Sequence, residues 1–186
     1  MKFKTAFAVI AFTAMSFAGS MSDAQGNTYP TVVIGSQEWM AENMKADVQG
    51  SSENWVIGQR EDLSGPETFG RFYTWDAAKK VCPAGWHLPT AKDFETLLKN
   101  VGPDAVSRGI TLRSPSIDDW NSNPGTDLYD FNARSSSGEV NGKDCGLSLN
   151  LWSKDKGKVL FVDEDGAKVK TFEVKGAKYS VRCVKD

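Results

Sequence analysis

Apolar and polar positions alternate over Thr31–Met40, which predicts two short strands around Gly35-Ser36. Val32 and Ile34 share one face of that hairpin, and Trp39 or Met40 returns an apolar group to it. Phe69–Tyr73 is strand-like, and the period then changes. Over Trp75–Val81 the residues Trp75, Ala78 and Cys82 fall on one helical face, with Thr74 as N-cap and Pro83 and Gly85 as stops. A second helix is better marked: Thr90 followed by Asp93 resembles a capping box, Phe94, Leu97 and Leu98 make a buried stripe, and Gly102-Pro103 ends it. Four later strands, Leu149–Ser153, Lys158–Asp163, Val169–Val174 and Tyr179–Lys185, are separated by Gly-containing turns and predict an antiparallel meander. Leu128–Arg134 reads as one more strand. Between Asp104 and Asp127 the periodicity disappears. A structureless stretch of that length inside a compact domain is usually functional or disordered, so candidate chemistry is sought there first.

The N-terminus has its own pattern. Met1-Lys2-Phe3-Lys4 is a basic head, and Thr5–Ala18 is an apolar run shorter than the about 20 residues a membrane-crossing helix needs. Small residues follow, which is the arrangement of a secretory signal peptide. Cleavage after Ala18 or Ala24 fits, and Ala24 is the preferred reading, giving a leader over 1–24 and one domain over 25–186. That cut leaves 162 of the 186 residues, enough for one domain with its own core. It also leaves 20 basic against 23 acidic side chains, a net charge of −3. A mildly acidic surface argues against nucleic acid or an anionic membrane as partner, and no later stretch is apolar enough to span a bilayer.

Three cysteines in an exported chain predict one disulfide and one remaining thiol, with three pairings open. Cys82 with Cys183 would close a loop of about 100 residues, worth up to about 4–5 kcal/mol by chain entropy. Cys145 lies in a loop-like Asn-Gly-Lys-Asp-Cys-Gly setting and is either a buried thiol or a site of intermolecular pairing. Lone cysteines and a single histidine lack the paired ligand spacing that zinc needs.

Among the six tryptophans, Trp39, Trp75, Trp86 and Trp152 sit in predicted elements or tight loops and are assigned to packing. Trp120 differs, because Asp118, Asp119, Asn121 and Asn123 flank it in the irregular segment, as in a polar-rimmed aromatic contact. Trp120, Asn121, Asn123, Asp127 and Arg134 are therefore the candidate ligand-binding residues. His87, beside Trp86, has no nucleophile motif to serve and is read as structural. Asp163-Glu164-Asp165-Gly166 lacks the closing Glu of a calcium loop and reads as an acidic turn. Catalytic residues, metal ligands and cofactors are all assigned as none.

The elements VVIGSQEWMAENMK, GRFYTWDAAKKVCPAGWHLPTAKDFETLL, DFNARSSSGEVNG, LWS and SVRCVKD, in this order, resemble the Fibrobacter succinogenes major paralogous domain family. The resemblance covers almost all of the chain beyond the leader; CPAGWHLPT and SVRCVKD are its most specific parts. It implies an α+β, C-type-lectin-like fold: an antiparallel sheet with two short helices and a long irregular loop. It also implies the disulfide Cys82–Cys183, which would join the first helix to the last strand. The Glu-Pro-Asn and Trp-Asn-Asp triplets of calcium-dependent sugar-binding lectins are absent, and a pair of free cysteines as in formylglycine-generating oxidases is not available. The expectation is an exported, non-catalytic module of the periplasm, outer-membrane surface or medium. It would recognise a glycan or envelope protein through the long loop. The alternatives are a structural or adhesive component assembling through a Cys145 dimer, and an enzyme related to the formylglycine-generating oxidases.

Overall fold

The computed structural model describes residues 17–53, 65–120, 123–136, 139–140, 143–144 and 147–186. The first sheet has five antiparallel strands. β1 (Phe17–Ser22), β2 (Thr28–Ile34) and β3 (Gln37–Met40) follow one another, and β13 (Val184–Lys185) then lies between β3 and β6 (Trp86–His87). The expected hairpin is present, with Val32 opposite Trp39, and Val32, Ile34 and Trp39 buried while Val33 faces out. The end of the chain is thus hydrogen-bonded between elements some 100–150 residues earlier.

β1 lies on the leader side of the boundary at Ala24. Met21 is buried against β2, and the buried Asp23 carboxylate accepts from Gln25 and Asn27 and from the Tyr29 hydroxyl at 2.7 Å. A cut at Ala24 would remove this strand from the sheet.

β9 (Leu149–Trp152), β10 (Lys158–Asp163) and β11 (Gly166–Thr171) form the predicted meander. The meander ends there, however: Tyr179–Lys185 leaves it, with Tyr179 bridging Tyr73 and Val184 joining the first sheet. Short pairs complete the strands: β4 (Ser51–Glu53) with β5 (Arg71–Tyr73), and β7 (Glu139–Val140) with β8 (Lys143–Asp144) and β12 (Ala177–Lys178).

Five helices are described where two were expected: α1 (Pro66–Phe69), α2 (Trp75–Val81), α3 (Ala91–Val101), α4 (Ala105–Leu112) and α5 (Ile117–Trp120). The two predicted helices have the predicted caps. Thr74 accepts from Ala77, and the capping box of Thr90 and Asp93 closes in both directions. Burial by itself would raise the Asp93 carboxyl, but hydrogen bonds from Thr90 and His87 hold it below its ordinary value. The extra helices α4 and α5 lie in the segment assigned as irregular. Asp104 caps α4 through Ser107, and Pro115 separates the two.

Leu128–Arg134 is not a strand. Asp127, Asp130 and Asn132 have φ values of 46°, 53° and 51°, left-handed conformations that Asp and Asn tolerate better than other non-Gly residues. Cys82 and Cys183 are joined, which ties the end of α2 to the residue before β13. Cys145 and Asn121 lie outside the described residues. The fold is α+β, with mainly antiparallel sheets.

Two apolar clusters meet beneath the sheets. One gathers Trp39, Phe94, Trp120 and Phe131 with the inner faces of α3 and β9–β11. The other gathers Met40, Met44, Tyr73, Trp152 and Tyr179 around Cys183. No described helix is long and apolar enough to cross a membrane.

Candidate functional site

Of the four candidate residues that are described, the structure brings one to a cavity. Trp120 is a core residue: it is fully buried, and its indole N–H donates to the Ala133 carbonyl at 3.0 Å. Of the polar neighbours that suggested an exposed ring, Asp118 and Asp119 belong to one helical turn. Asp118 faces out while Asp119 turns inward, so the local composition misled. Asn123 is exposed and accepts from the Arg113 guanidinium at 3.3 Å, tying down its own loop. Asp127 accepts from the Asn132 N–H at 2.6 Å, and burial raises its carboxyl above the ordinary value. Arg134 does line a cavity.

The cavity, about 220 Å³, opens between α1, the residues after β3 and the 131–134 loop. Glu42 and Asn43 form one wall, and Glu67 and Thr68 at α1 form another. Asn132, Arg134 and Arg182 complete it. Each position has a local reason. Asn43 leaves the β2–β3 hairpin and is buried; its amide donates to the Phe69 carbonyl at 2.9 Å and so fixes the end of α1. The left-handed turns at Asp127, Asp130 and Asn132 fold the loop so that the Phe131 and Asn132 carbonyls point at Arg182. The disulfide at Cys183 anchors the segment that carries Arg182.

The two arginines are held differently. Arg134 makes a forked pair with Asp119, at 2.8–3.1 Å from Nε and Nη2, and lies over the Phe69 ring at 4.6 Å. Asp119 is 1% exposed, so this charge is matched inside the protein. Arg182 is equally buried, but its partners are neutral. It donates to Asn43 Oδ1 at 2.7 Å and to the carbonyls of Phe131 and Asn132, and its guanidinium stacks on Phe131 at 4.5 Å. Burial brings its pKa down to about 9, against the opposing pull of Asp127 and Glu42.

Arg182 was missed because Val181-Arg182-Cys183 alternates, and alternation reads as one polar side chain facing water. The available signal was its neighbour, Cys183, in an element where both faces are covered. His87 bridges two carboxylates: Nδ1 is 2.7 Å from that of Asp186 and Nε2 is 3.4 Å from that of Asp93. Among the described residues no group of three or more His, Cys, Asp or Glu side chains is placed to hold a metal ion.

A small disulfide-tied α+β domain with a charged cavity between α1, the residues after β3 and the 131–134 loop is the class that fold and site define. Residues 32–185 match the Fibrobacter succinogenes major domain, and the chain belongs to that family. No curated protein and no solved structure matches it.

Proposed function

We propose that the protein is an exported, non-catalytic recognition module that binds a glycan or envelope component through the Arg134–Arg182 cavity. A C-type-lectin-like architecture is part of this reading. The disulfide from the first predicted helix to the chain end and the neighbouring β3 and β13 support it. The single observation that carries the function is Arg182, a buried cation bordering a cavity and held by neutral oxygens alone. A buried charge without an ion pair is costly, and such groups persist where they do something besides hold the fold. The paired, saturated settings of His87 and Asp119 favour binding over proton transfer. Export through a leader agrees with the disulfide. In this reading the leader ends at Ala18, since that cut keeps β1 from Gly19 onward. Intact-mass measurement of the secreted protein should begin at Gly19; a mature form beginning at Gln25 contradicts this boundary.

The test of function is binding of the oxidised protein to a panel of cell-wall and plant polysaccharides, with Thr68→Tyr to fill the cavity mouth and Val106→Ala, exposed on α4, as a surface control outside the cavity lining. Saturable binding is expected for the parent and Val106→Ala, and loss is expected for Thr68→Tyr. Binding that survives in Thr68→Tyr overturns this site.

A further inference from the structure

We infer that the cavity is a carboxylate subsite and that it takes the uronic-acid unit of an acidic polysaccharide. This inference rests on the recognition reading above and names its ligand.

A guanidinium has five N–H donors, and Arg182 commits three of them, to Asn43, Phe131 and Asn132. None of its partners carries charge, and it takes part in no ion pair among the described residues, whereas Arg134 is matched by Asp119. The cavity wall therefore holds a cation without an ion pair, which Asp127 and Glu42 oppose only through space. The two remaining N–H groups, one on each terminal nitrogen, are donors that a carboxylate can accept from. An anion there would supply the direct partner that the fold leaves out.

The rest of the lining narrows the class. Glu42 and Glu67 offer only acceptors at neutral pH, so the ligand's other end must donate. Glu42 already pairs with Lys45 at 3.1 Å, which leaves little call for an ammonium group and favours neutral hydroxyls. A dianionic phosphate would bring its second charge against these carboxylates. A sugar ring with one carboxylate and several hydroxyls satisfies both sides. At about 220 Å³ the cavity is smaller than the about 300–1,000 Å³ of sites for drug-sized ligands, so it holds one unit of a chain. The receiving edge is also fixed in advance. Three non-Gly residues in left-handed conformation hold the 127–132 loop, and such backbone strain gathers at ligand clamps.

The test is calorimetric titration of the oxidised full chain with D-glucuronate, its methyl ester, D-glucose and inorganic phosphate. Glucuronate should bind at least about tenfold more tightly than the ester or glucose, and more weakly as salt is raised. Folded Arg182→Gln should lose this preference. Since a buried substitution can unfold the chain, Glu67→Gln at the exposed rim gives a second reading: it keeps an acceptor oxygen and removes a like charge, so it should tighten glucuronate about two- to fivefold, and by more than it changes glucose. Equal affinity for glucuronate and its ester, a preference for phosphate, or a Glu67→Gln variant with unchanged glucuronate binding would each overturn the inference. Neutral-glycan binding blocked by Thr68→Tyr would overturn the carboxylate assignment while leaving the recognition reading intact. Glucuronate binding indifferent to Thr68→Tyr would overturn the cavity itself.

Discussion

Arg113 and Arg182 are each 1% exposed, and each donates to two main-chain carbonyls and one Asn side chain. Arg113 donates to the carbonyls of Asp163 at 2.9 Å and Glu164 at 3.1 Å, pinning the β10–β11 turn against α4. The surroundings there are closed. A Cβ on Gly125 would lie 2.2 Å from the Arg113 carbonyl, and one on Gly166 (φ 136°) would lie 2.2 Å from that of Ala105. Only glycine permits these approaches. Arg182 has the same kind of partners but borders open volume and a second guanidinium. Burial lowers the pKa of both, and nearby carboxylates pull each back. In the proposed reading one geometry serves two purposes: a buried arginine wrapped in backbone is a staple, and one beside a cavity is a receptor. What tells them apart is the space next to the charge.

The largest effect should come from the bond that holds the Arg182 segment. The Cys82–Cys183 link closes 101 residues of sequence, worth about 4–5 kcal/mol in the chain-entropy model. The Cys82→Ser, Cys183→Ser double variant should lose that much in denaturant unfolding and bind glucuronate less well. The Arg113 staple has no covalent anchor of its own, so a variant that loses stability but keeps full affinity would show that Arg182 is positioned by packing alone.

Arg113→Met and Arg182→Met should separate the two roles directly. Each leaves carbonyl or amide oxygens without a donor, at roughly 1–3 kcal/mol for each buried group left unpaired. A loss of about 2–4 kcal/mol is therefore expected for both in urea unfolding. Only Arg182→Met should abolish glucuronate binding. Parallel loss of affinity in both variants would mean that the cavity depends on global stability, and the comparison would collapse.

Much of this frame was legible in the sequence. The β2–β3 hairpin follows from alternation about Gly35, and α3 from Thr90, Asp93 and the Phe94-Leu97-Leu98 stripe, all of them local signals. The disulfide followed from family resemblance, since geometry between residues 101 apart cannot be read from spacing. The site was mostly hidden for a physical reason. Arg134 was identified, yet its partner Asp119 looked like one more polar rim residue of Trp120, because inward and outward carboxylates have the same local composition. Arg182 and Asn43 look like ordinary polar positions in exposed strands. Their burial arises only when the 127–132 loop folds over them, and that loop depends on three left-handed Asp and Asn residues which the alternation of Leu128–Arg134 disguised as a strand.

The smallest expected effect concerns Asp127, whose charge acts on Arg182 while its carboxylate accepts from Asn132. Burial raises its pKa in the folded chain above the ordinary carboxyl value. A carboxyl raised in this way stabilises the fold fully below the unfolded pKa and loses that contribution as pH rises through the folded value. Asp23 has the opposite sign. Burial opposes it, but hydrogen bonds from Asn27, Tyr29 and Gln25 hold its pKa low, so its contribution is present at neutral pH and lost in acid. Asp127→Asn keeps an oxygen for the Asn132 N–H and removes the charge. It should therefore leave acid stability nearly unchanged, raise stability at pH 7 by under about 1 kcal/mol, and tighten glucuronate about two- to threefold by removing a competing anion. Asp23→Asn should instead lower stability at pH 7 and leave affinity alone. If Asp127→Asn tightens nothing, the anion does not reach Arg182, and the two buried arginines are both staples.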